Sequence, residues 1–419
     1  MAAPMPRVPP VTRAVCPWKL CSALISLLAF FGSAAAIITP GRGKGTAGCG
    51  RGDRPVGNAR GIIPLGNLLI LEANRPREQP EPRIRRMKEE DIRPQDVFGR
   101  YLELAQADAR DYFQDKYRFR AVACPACGTK RSRPAFDKDG FAYVFCDACH
   151  SLYNSPRPAP EMIARYYQEA PSVKFWATDF YKATEDSRRE KIFIPRAAYL
   201  SDLAQRYGLA RGSFLDLGCG YGTLLEEVQK TGAFAQVQGV DCSPPLAAVC
   251  RGKGFQVAEK RIEDLQPGEF QASLTASFEV LEHLFEPAAF LRGALRVMNA
   301  EGLLVVTTLT CNGFDIRVLG RHSKAVQPPY HLNLLSLEGV RLLLQRCGFE
   351  ILEMETPGRL DVDIVRNALA VDASLAVAPF LRDIVQSDDE GLRQAFQDFL
   401  AAHRLSSHLR VVARPLPGN

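Results

Sequence analysis

Residues 213–226 read SFLDLGCGYGTLLE, and this stretch decides the fold. Four residues with strand character, 214–217, lead into glycines at alternate positions, and leucines at helical spacing follow. A chain that turns this sharply at the carboxyl end of a parallel strand needs residues without a Cβ, both for its backbone angles and for the close approach of a ligand. Gly218, Gly220 and Gly222 meet that need. The stretch therefore predicts a strand, a tight turn and a helix.

A glycine loop by itself also fits a dinucleotide-binding fold, whose spacing is G-x-G-x-x-G. Here the spacing is G-x-G-x-G, which disfavours a nicotinamide cofactor. A second predicted strand, residues 237–241 (VQGVD), ends in a carboxylate. An acid at the end of the neighbouring strand can accept hydrogen bonds from both hydroxyls of a ribose that lies across the glycine turn. We therefore predict that Asp241 binds a ribose.

Two further stretches complete the outline of a sheet. The sequence ASLTASFEVLEHLFEP predicts a strand over residues 272–280, followed by a polar turn at Glu282 and His283. Residues 302–310 (GLLVVTTLT) form a nearly unbroken apolar run, which is typical of a strand covered by helices on both faces. Together these stretches predict a Rossmann-like α/β sheet.

The stretches LDLGCGYG, GVDCS, FEVLEHLFEP and GLLVVTTLT resemble the class I S-adenosylmethionine-dependent methyltransferases, in the branch of ubiquinone-type O-methyltransferases and sugar methyltransferases. The resemblance implies a seven-stranded sheet with an antiparallel last strand, and S-adenosyl-L-methionine bound over the glycine loop. Ile262 and Glu263 would then flank the adenine. The residues that the resemblance places near the cofactor are Asp216, Gly218, Cys219, Gly220, Gly222, Asp241, Cys242, Ile262, Glu263 and Glu279.

Charge is distributed unevenly along the 419 residues. The composition, 46% hydrophobic and 24% charged, is that of a globular protein, and the formal net charge is +6. Residues 1–86 hold 13 Lys and Arg against 4 Asp and Glu, which leaves 40 against 43 from Met87 onward. A slightly acidic main part argues against a nucleic-acid partner that is reached by electrostatic attraction. We therefore expect a small-molecule acceptor and no nucleic-acid partner.

The first 86 residues are predicted to lie outside the fold. Residues 20–38 contain no charge and are followed by a Gly/Arg-rich tail. They fit a signal peptide with a small-residue site at 34–36, a single membrane anchor, or translated upstream sequence. Export is disfavoured, because S-adenosylmethionine is made in the cytosol. The preferred interpretation is a start at Met87 and a cytoplasmic protein without stable membrane association. The alternative is a membrane-anchored protein whose catalytic domain faces the cytosol.

Two cysteine pairs predict a zinc ribbon. CPACG supplies Cys124 and Cys127, CDAC supplies Cys146 and Cys149, and 18 residues separate the pairs. The insert contains KDGFAYVF, which is long enough for a hairpin that returns the second pair to the same ion. Four thiolates close the coordination shell of Zn²⁺, so the predicted zinc is structural. The alternative, a redox dithiol, would need only one pair.

Changes in composition divide residues 87–419 into four predicted parts. We predict a lead-in helix within 87–120, the zinc ribbon at 121–158, a helical linker or cap at 159–205, and the methyltransferase domain at 206–419. Aromatic residues are dense before the first sheet strand: Tyr153, Tyr166, Tyr167, Phe175, Trp176, Phe180 and Tyr181. They either cover the active site, as the resemblance implies, or join the ribbon to the catalytic domain.

The residues that face the methyl acceptor are predicted from PPYHLNLLSLEGVRLLLQRCGFEI. This stretch resembles the segment that, in this family, crosses beneath the substrate. His331 lies in its opening turn beside Tyr330, which we predict contacts the substrate, and His283 follows the fourth strand. A histidine can act as general base toward a hydroxyl, because its pKa lies near neutrality. Either histidine could instead only hold a loop by hydrogen bonds.

About fifty residues, 359–408, separate the predicted sixth strand (FEILEME) from the seventh (HLRVVARP). Because the sixth strand runs parallel to its neighbours, the insertion leaves the sheet at the edge where ligands bind. We therefore predict that Asp361 and Asp363 contact the substrate. The alternation of charged and apolar residues there also fits a half-buried strand or the start of a helix.

The sequence thus predicts methyl transfer to a hydroxyl or carbon of a sugar, a glycolipid or a related biosynthetic intermediate. One alternative is a ribosomal or transfer RNA base methyltransferase that holds RNA through its ribbon. The acidic balance after Met87 and the lack of an N-P-P-Y motif count against it. The other alternative is a scaffold that only senses the cofactor, which the intact glycine loop and Asp241 disfavour.

Overall fold

The structure, a computed structural model, describes residues 87–418, so the predictions for residues 1–86 lie outside it. Its strands are β1 (Ser132–Lys138), β2 (Phe141–Cys146), β3 (Leu152–Asn154), β4 (Ser213–Leu217), β5 (Gln236–Val240), β6 (Gln256–Ala258), β7 (Ala272–Phe278), β8 (Met298–Leu309), β9 (Asn333–Leu334), β10 (Phe349–Glu355) and β11 (His408–Pro415). Its α-helices are α1 (Glu89–Ile92), α2 (Gln95–Asp111), α3 (Pro160–Glu169), α4 (Pro171–Phe175), α5 (Tyr181–Arg188), α6 (Ile194–Arg206), α7 (Thr223–Thr231), α8 (Pro244–Gly252), α9 (Pro287–Leu295), α10 (Phe314–Leu319), α11 (Leu337–Arg346), α12 (Asp361–Val371), α13 (Pro379–Gln386) and α14 (Glu390–Ala402). Within this described range, every helix is too short or too polar to cross a membrane.

Seven strands form the main sheet, in the order β10-β11-β8-β7-β4-β5-β6. β4 pairs in parallel with β5 and β7, and β7 pairs in parallel with β8. β11 pairs antiparallel with both β8 and β10, so β10 runs in the same direction as β8. The predicted Rossmann-like sheet with an antiparallel last strand is therefore confirmed.

Helices cover both faces of this sheet, as the apolar run of β8 predicts. Leu304 belongs to the apolar cluster that contains Leu291 of α9, whereas Val305 belongs to the cluster that contains Leu225 of α7. Successive residues of a strand point to opposite faces, so two neighbouring buried residues require cover on both sides. Because both faces are covered, a ligand can reach the sheet only at the ends of its strands.

A second sheet contains the ribbon, in the order β1-β2-β3-β9. The hairpin predicted from KDGFAYVF is formed by β1 and β2, which pair antiparallel. β3 then pairs with β9, a two-residue strand that lies far along the chain, just after His331. The ribbon thus shares its sheet with the segment that carries this histidine. So short a strand has no detectable pattern in the sequence.

Residues 171–206 form an almost continuous helical stretch, in which π-helical segments at Trp176–Phe180 and Arg189–Phe193 separate α4, α5 and α6. Trp176 stacks on Phe180 at 4.0 Å between ring centroids, and Tyr101 of α2 lies 4.7 Å from Trp176. Tyr181 stacks at 4.2 Å on Tyr221 in the glycine loop. The aromatic residues therefore join the lead-in helix to the cap and also lie over the loop.

The insertion between β10 and β11 consists of α12, α13 and α14. At its start, Asp361 is buried and accepts hydrogen bonds from Ser406 Oγ at 2.5 Å, Ser407 N at 2.7 Å and Gln397 Nε2 at 2.9 Å. Asp363 accepts one hydrogen bond, from Glu89 N at 3.0 Å. Asp361 thus ties the first helix of the insertion to the chain that enters β11.

Replacing Asp361 by Asn should lower the free energy of unfolding by about 2–3 kcal/mol, because an amide cannot accept all three hydrogen bonds and brings its own N–H groups against these donors. Asp363→Asn is the matched control and should cost less than about 1 kcal/mol, since one hydrogen bond is involved. Urea unfolding of both variants measures the difference. Equal losses would contradict the anchoring role of Asp361.

Candidate functional site

The glycine loop connects β4 to α7 at the carboxyl edge of the main sheet. Gly218, Gly220 and Gly222 have φ angles of 93°, 55° and 73°. Residues with a Cβ are strained at such angles, so this path requires glycine. Gly218 N donates a hydrogen bond to Val240 O at 2.8 Å, which fixes the loop to β5. The structure therefore forms the turn that the sequence predicts.

Asp241 lies beneath this loop, one residue after β5, and is 1% exposed. Its Oδ2 accepts a hydrogen bond from Gly220 N at 2.9 Å, and its Oδ1 accepts one from Ser243 N at 2.9 Å. A carboxylate has about four acceptor positions and can therefore accept more than one hydrogen bond at a time. That Asp241 binds a ribose stays a prediction. Cys242 follows directly and is buried.

Cys219 fills the space between the loop and β5. A Cβ at Gly239 would lie 2.7 Å from Cys219 Sγ, so this neighbour of the thiol must be glycine. Cys250 of α8 lies behind the loop, with its Sγ 4.0 Å from Cys219 Sγ and 3.2 Å from Gly220 O. The cysteine side chains thus pack the loop from beneath.

Ile262 and Glu263 lie in a short 3-10 turn after β6, at the same edge of the sheet. Ile262 is buried, and burial raises the pKa of Glu263. Arg296 donates hydrogen bonds to Glu263 O at 2.6 Å and to Leu265 O at 2.7 Å, which hold the turn in place. The contact of this turn with an adenine stays a prediction.

Glu279 lies one residue after β7 and is fully buried. Its Oε1 accepts hydrogen bonds from Thr307 Oγ1 at 2.6 Å and from Arg196 Nη2 at 3.2 Å, and His408 Nδ1 lies 3.3 Å away. Burial raises the pKa of Glu279 even though Arg196 opposes the shift. Burial likewise raises the pKa of Asp216 to about 7, again against the effect of Arg196.

Arg196 contacts the predicted cofactor residue Glu279, and the sequence interpretation missed it. It comes from α6, is 5% exposed, and lies over the ring of Phe278 at 4.5 Å. The basic run between Arg188 and Arg196 was the available signal, but a basic helix is more often a solvated surface. Only the folding of α6 against β7 shows which of these cations points inward.

The two candidate bases, His283 and His331, are brought together with ring centroids 4.8 Å apart. His283 Nδ1 lies 3.0 Å from Tyr330 O, and His331 Nδ1 lies 2.5 Å from Ala325 O. Because a carbonyl oxygen only accepts, each Nδ1 carries the hydrogen and each Nε2 is the basic nitrogen. Burial lowers the pKa of His331 to about 4, so this ring is neutral at physiological pH.

Glu282 completes a group with these histidines. One ligand atom from each of Glu282, His283 and His331 lies within 4.8 Å of the others, and all three residues are buried. Thr308 Oγ1 donates a hydrogen bond to Glu282 Oε2 at 2.8 Å. Burial raises the pKa of Glu282 well above its usual range, and the charge of Glu279 adds to the shift. Two imidazoles and a carboxylate are donors that suit a divalent transition metal as well as proton transfer.

The segment around Tyr330 and His331 is held from three sides. Tyr143 of the ribbon donates a hydrogen bond to His331 O at 2.6 Å. The Tyr330 hydroxyl lies 2.8 Å from Ser172 Oγ of the cap. Leu332 N donates to Glu282 O at 2.8 Å, next to the main sheet. The ribbon, the cap and the sheet thus jointly position the predicted acceptor side.

The four ribbon cysteines converge. The Sγ atoms of Cys124 and Cys149 lie 3.5 Å apart, as do those of Cys127 and Cys146, and all four lie within 4.8 Å of one another. Zn–S bonds of 2.3 Å in a tetrahedron separate the sulfur atoms by roughly 3.8 Å. The donor set and its spacing therefore fit a four-thiolate zinc ion.

Asp361 and Asp363 are placed at the base of the insertion. Their hydrogen bonds are those to Ser406, Ser407, Gln397 and the α1 main chain described above. Glu89 of α1 forms an ion pair with Arg93. The positive charge of Arg93 is one of the charges that, after burial, lower the pKa of His331. A direct contact of either aspartate with substrate stays a prediction.

The known proteins that are similar to this chain in sequence or structure include several methyltransferases. Residues 186–354 match the family described as "Methyltransferase domain". A ubiquinone biosynthesis O-methyltransferase from Xanthomonas oryzae pv. oryzae is 34% identical over 132 residues, which cover 29% of this chain and 54% of that protein. The corresponding protein from Xanthomonas campestris pv. campestris is 29% identical over 174 residues, 39% of this chain and 71% of that one. The chain thus spans about half the length of the first of these relatives.

A putative sarcosine dimethylglycine methyltransferase from Galdieria sulphuraria is a similar solved structure. It has 15% identity and a TM-score of 0.39, and the match covers 55% of this chain and 88% of that one. An S-adenosylmethionine-dependent methyltransferase from Clostridium acetobutylicum has 10% identity and a TM-score of 0.38, with 57% and 100% covered. The glycine loop and Asp241 both lie within the matched segment, residues 186–354. The chain therefore contains a methyltransferase domain of the class I S-adenosylmethionine-dependent family.

Proposed function

We propose that this protein transfers a methyl group from S-adenosyl-L-methionine to a small-molecule acceptor. The observation that carries the proposal is the glycine loop at the carboxyl edge of the sheet, with the carboxylate of Asp241 hydrogen-bonded beneath it to Gly220 N. In open α/β sheets, ligands bind at this edge, and an acid at the end of the neighbouring strand can accept hydrogen bonds from a ribose, which supports the proposal. The matched family segment, 186–354, contains the whole arrangement.

Different residues of the chain would bind different parts of the cofactor. Asp241 would accept hydrogen bonds from the ribose, Gly218 and Gly220 would allow close approach, and the turn at Ile262 and Glu263 would flank the adenine. The remaining cofactor residues, proposed from the sequence, are Asp216, Cys219, Gly222, Cys242 and Glu279. When bound, the cofactor supplies an electrophilic methyl group on a sulfonium. The protein would align the acceptor with this group and exclude water, which accounts for much of the acceleration of such a displacement.

The histidine pair would take the proton from an acceptor hydroxyl. Both Nδ1 atoms face carbonyl oxygens, so Nε2 of His283 or His331 is the nitrogen that can accept it. Glu282 lies within 4.8 Å and, with its raised pKa, can take up or share a proton in the same group. A buried base next to the transfer site suits O-methylation, because the proton must leave as the C–O bond forms.

The acceptor is proposed to be a hydroxyl or carbon of a sugar, a glycolipid or a related intermediate. The relatives named as ubiquinone biosynthesis O-methyltransferases favour transfer to oxygen. The cap supports a small acceptor, because Tyr330, Tyr166 and Ser172 combine aromatic surface with hydroxyl groups next to the histidines. We place the protein in the cytoplasm, where S-adenosylmethionine is made.

The ribbon is proposed to hold one structural Zn²⁺ ion through Cys124, Cys127, Cys146 and Cys149. A four-thiolate site has no open position for water or substrate, so its contribution would be to the fold. Because β3 pairs with β9 and Tyr143 contacts His331 O, that contribution extends to the acceptor side. This sharing of one sheet favours a structural role over RNA binding.

Asp241→Asn should weaken the binding of S-adenosylhomocysteine by about 1.5–3 kcal/mol, because charge-assisted hydrogen bonds to the ribose are lost. Isothermal titration calorimetry measures the affinity. Asp202→Asn, on the exposed face of α6, is the matched control and should bind normally. Wild-type affinity in Asp241→Asn would remove Asp241 from the site. Tight binding of NAD but not of S-adenosylhomocysteine by the wild type would refute the proposed function.

Purified protein should contain close to one zinc per chain, measured by elemental analysis. Cys146→Ser should lose the metal and lower stability, while the molecules that stay folded still bind S-adenosylhomocysteine, because the cofactor pocket lies on the other sheet. Cys347→Ser, which removes a buried cysteine that contacts Ala288 O away from the ribbon, is the control and should keep the zinc. A metal-free protein with four thiols that titrate freely in the native state would overturn the zinc proposal.

A further inference from the structure

The last helix of the insertion, α14, reverses the usual distribution of polar and apolar side chains. Arg393 and Gln397 are 8% and 4% exposed, and both donate hydrogen bonds to main-chain oxygens, which compensates their burial. Leu392 and Phe399, in contrast, are 44% and 48% exposed. A surface helix ordinarily buries its apolar residues and exposes its charged ones. The apolar side of α14 therefore faces outward.

The outward apolar residues of α14 form one stripe. Leu392, Ala395, Phe396 and Phe399 recur at helical spacing, so they lie on the same side of a helix with 3.6 residues per turn. The ring centroids of Phe396 and Phe399 are 6.4 Å apart, and Ala395 is exposed. At 1.5 Å per residue, the stripe is about 10 Å long from Leu392 to Phe399. These four residues are called the apolar stripe.

Exposed large apolar residues are concentrated in the insertion. In the part of the chain that the structure describes, nine such residues are exposed, and four of them lie in α12, α13 and α14: Val371, Phe380, Leu392 and Phe399. These helices occupy only residues 361–402. Single exposed apolar residues are normal on a protein surface, whereas a concentration of them marks an interaction surface. The insertion is therefore the place to look for a binding partner.

Opposite charges lie at the two ends of the apolar stripe. Asp388 is exposed just before α14, and Arg404 is exposed just after it. When a second copy of α14 lies antiparallel across the first, Leu392 meets the partner's Phe399 and Asp388 meets the partner's Arg404. A two-fold axis repeats both contacts on its other side, because the same patch serves both subunits. The stripe and its charged ends are thus complementary to themselves.

We propose that the apolar stripe binds the same stripe of a second copy of this chain, as an antiparallel pair of α14 helices related by a two-fold axis. The charges favour this arrangement, because a parallel pair would place Asp388 against the partner's Asp388 and Arg404 against the partner's Arg404. The axis passes between Ala395 and Phe396, so each small alanine faces the ring of the partner's Phe396. A single pair of short helices buries less area than the standard interface of about 1,600 Å². The dissociation constant is therefore on the order of 10 μM.

Sedimentation velocity of the full-length chain measures this association. The sedimentation coefficient should rise from that of a monomer to that of a dimer as the protein concentration passes through about 10 μM. Phe399→Glu places a charge in the apolar contact on both sides of the axis and should weaken the dimer at least about a hundredfold. Val249→Glu is the matched control, because it places the same charge at another apolar residue, 40% exposed, on α8. This control should associate like the wild type.

Charge reversal distinguishes a second copy from any other occupant. Asp388→Lys and Arg404→Glu should each weaken the dimer at least about threefold, because each replaces two attractions by two repulsions. The double variant Asp388→Lys/Arg404→Glu restores both contacts with reversed signs and should return to within about twofold of the wild-type affinity. A mixture of the two single variants should associate more tightly than either variant alone, because the mixed dimer contains only opposite-charge contacts.

Three results would overturn the proposal. The first is a wild type that stays monomeric, which would show that another occupant, for example the apolar residues 20–38, covers the stripe. The second is a dimer that Phe399→Glu leaves intact, and the third is a double variant that associates no better than the single ones. Circular dichroism checks that each variant keeps its fold. If Phe399→Glu does not fold, Leu392→Glu and the charge reversals decide the question.

Discussion

The carboxylate of Asp241 holds together the part of the structure on which everything else depends. Through Gly220 N and Ser243 N it joins the glycine loop to the turn after β5, so loop and strand form one rigid edge. The left-handed φ angles of Gly218, Gly220 and Gly222 let the loop follow this path. The close contact of Cys219 with Gly239 fixes the loop from beneath. A preorganised edge of this kind binds a ligand without an additional ordering cost.

The acceptor side is assembled differently, from parts that are distant in sequence. The segment around His331 receives a hydrogen bond from Tyr143 of the ribbon, and neighbouring residues contact Ser172 of the cap and Glu282 beside the main sheet. In such an arrangement, the metal proposed for the ribbon would help to position the proposed base, His331, without touching it. The four-cysteine ribbon thus supports the segment around His331, because β9 belongs to the sheet of the ribbon.

Much of the fold follows from the sequence because its signals are local. The strand–glycine–helix stretch, the apolar run of β8 and the cysteine spacing each depend on a few neighbouring residues, and the sheet order and the cysteine cluster agree with them. The insertion is also placed as expected, at the carboxyl end of β10. Its first aspartate, however, makes hydrogen bonds to Gln397 and Ser406, and no local pattern indicates these long-range contacts.

The positions of the glycine loop and Asp241 could be anticipated for the same reason, since they follow adjacent strands, and their roles toward a cofactor stay predictions. The inward orientation of Arg93, Arg188 and Arg196 could not be predicted from the sequence. Tertiary packing alone decides whether a cation on a helix faces solvent or core. The pairing of His283 with His331 likewise depends on β9 joining the ribbon sheet. Sequence patterns do not predict the contacts of residues whose partners lie far away along the chain.

A crystal structure of the complex with S-adenosylhomocysteine tests the central claim most directly. The account predicts ribose hydroxyls within about 3.2 Å of the Asp241 carboxylate, the adenine beside Ile262, and the amino-acid end of the ligand over Gly218. The cofactor sulfur should face the space between Glu279 and the histidine pair. A ligand bound elsewhere, or bound here with its ribose turned away from Asp241, would contradict the assignment of this edge as the cofactor site.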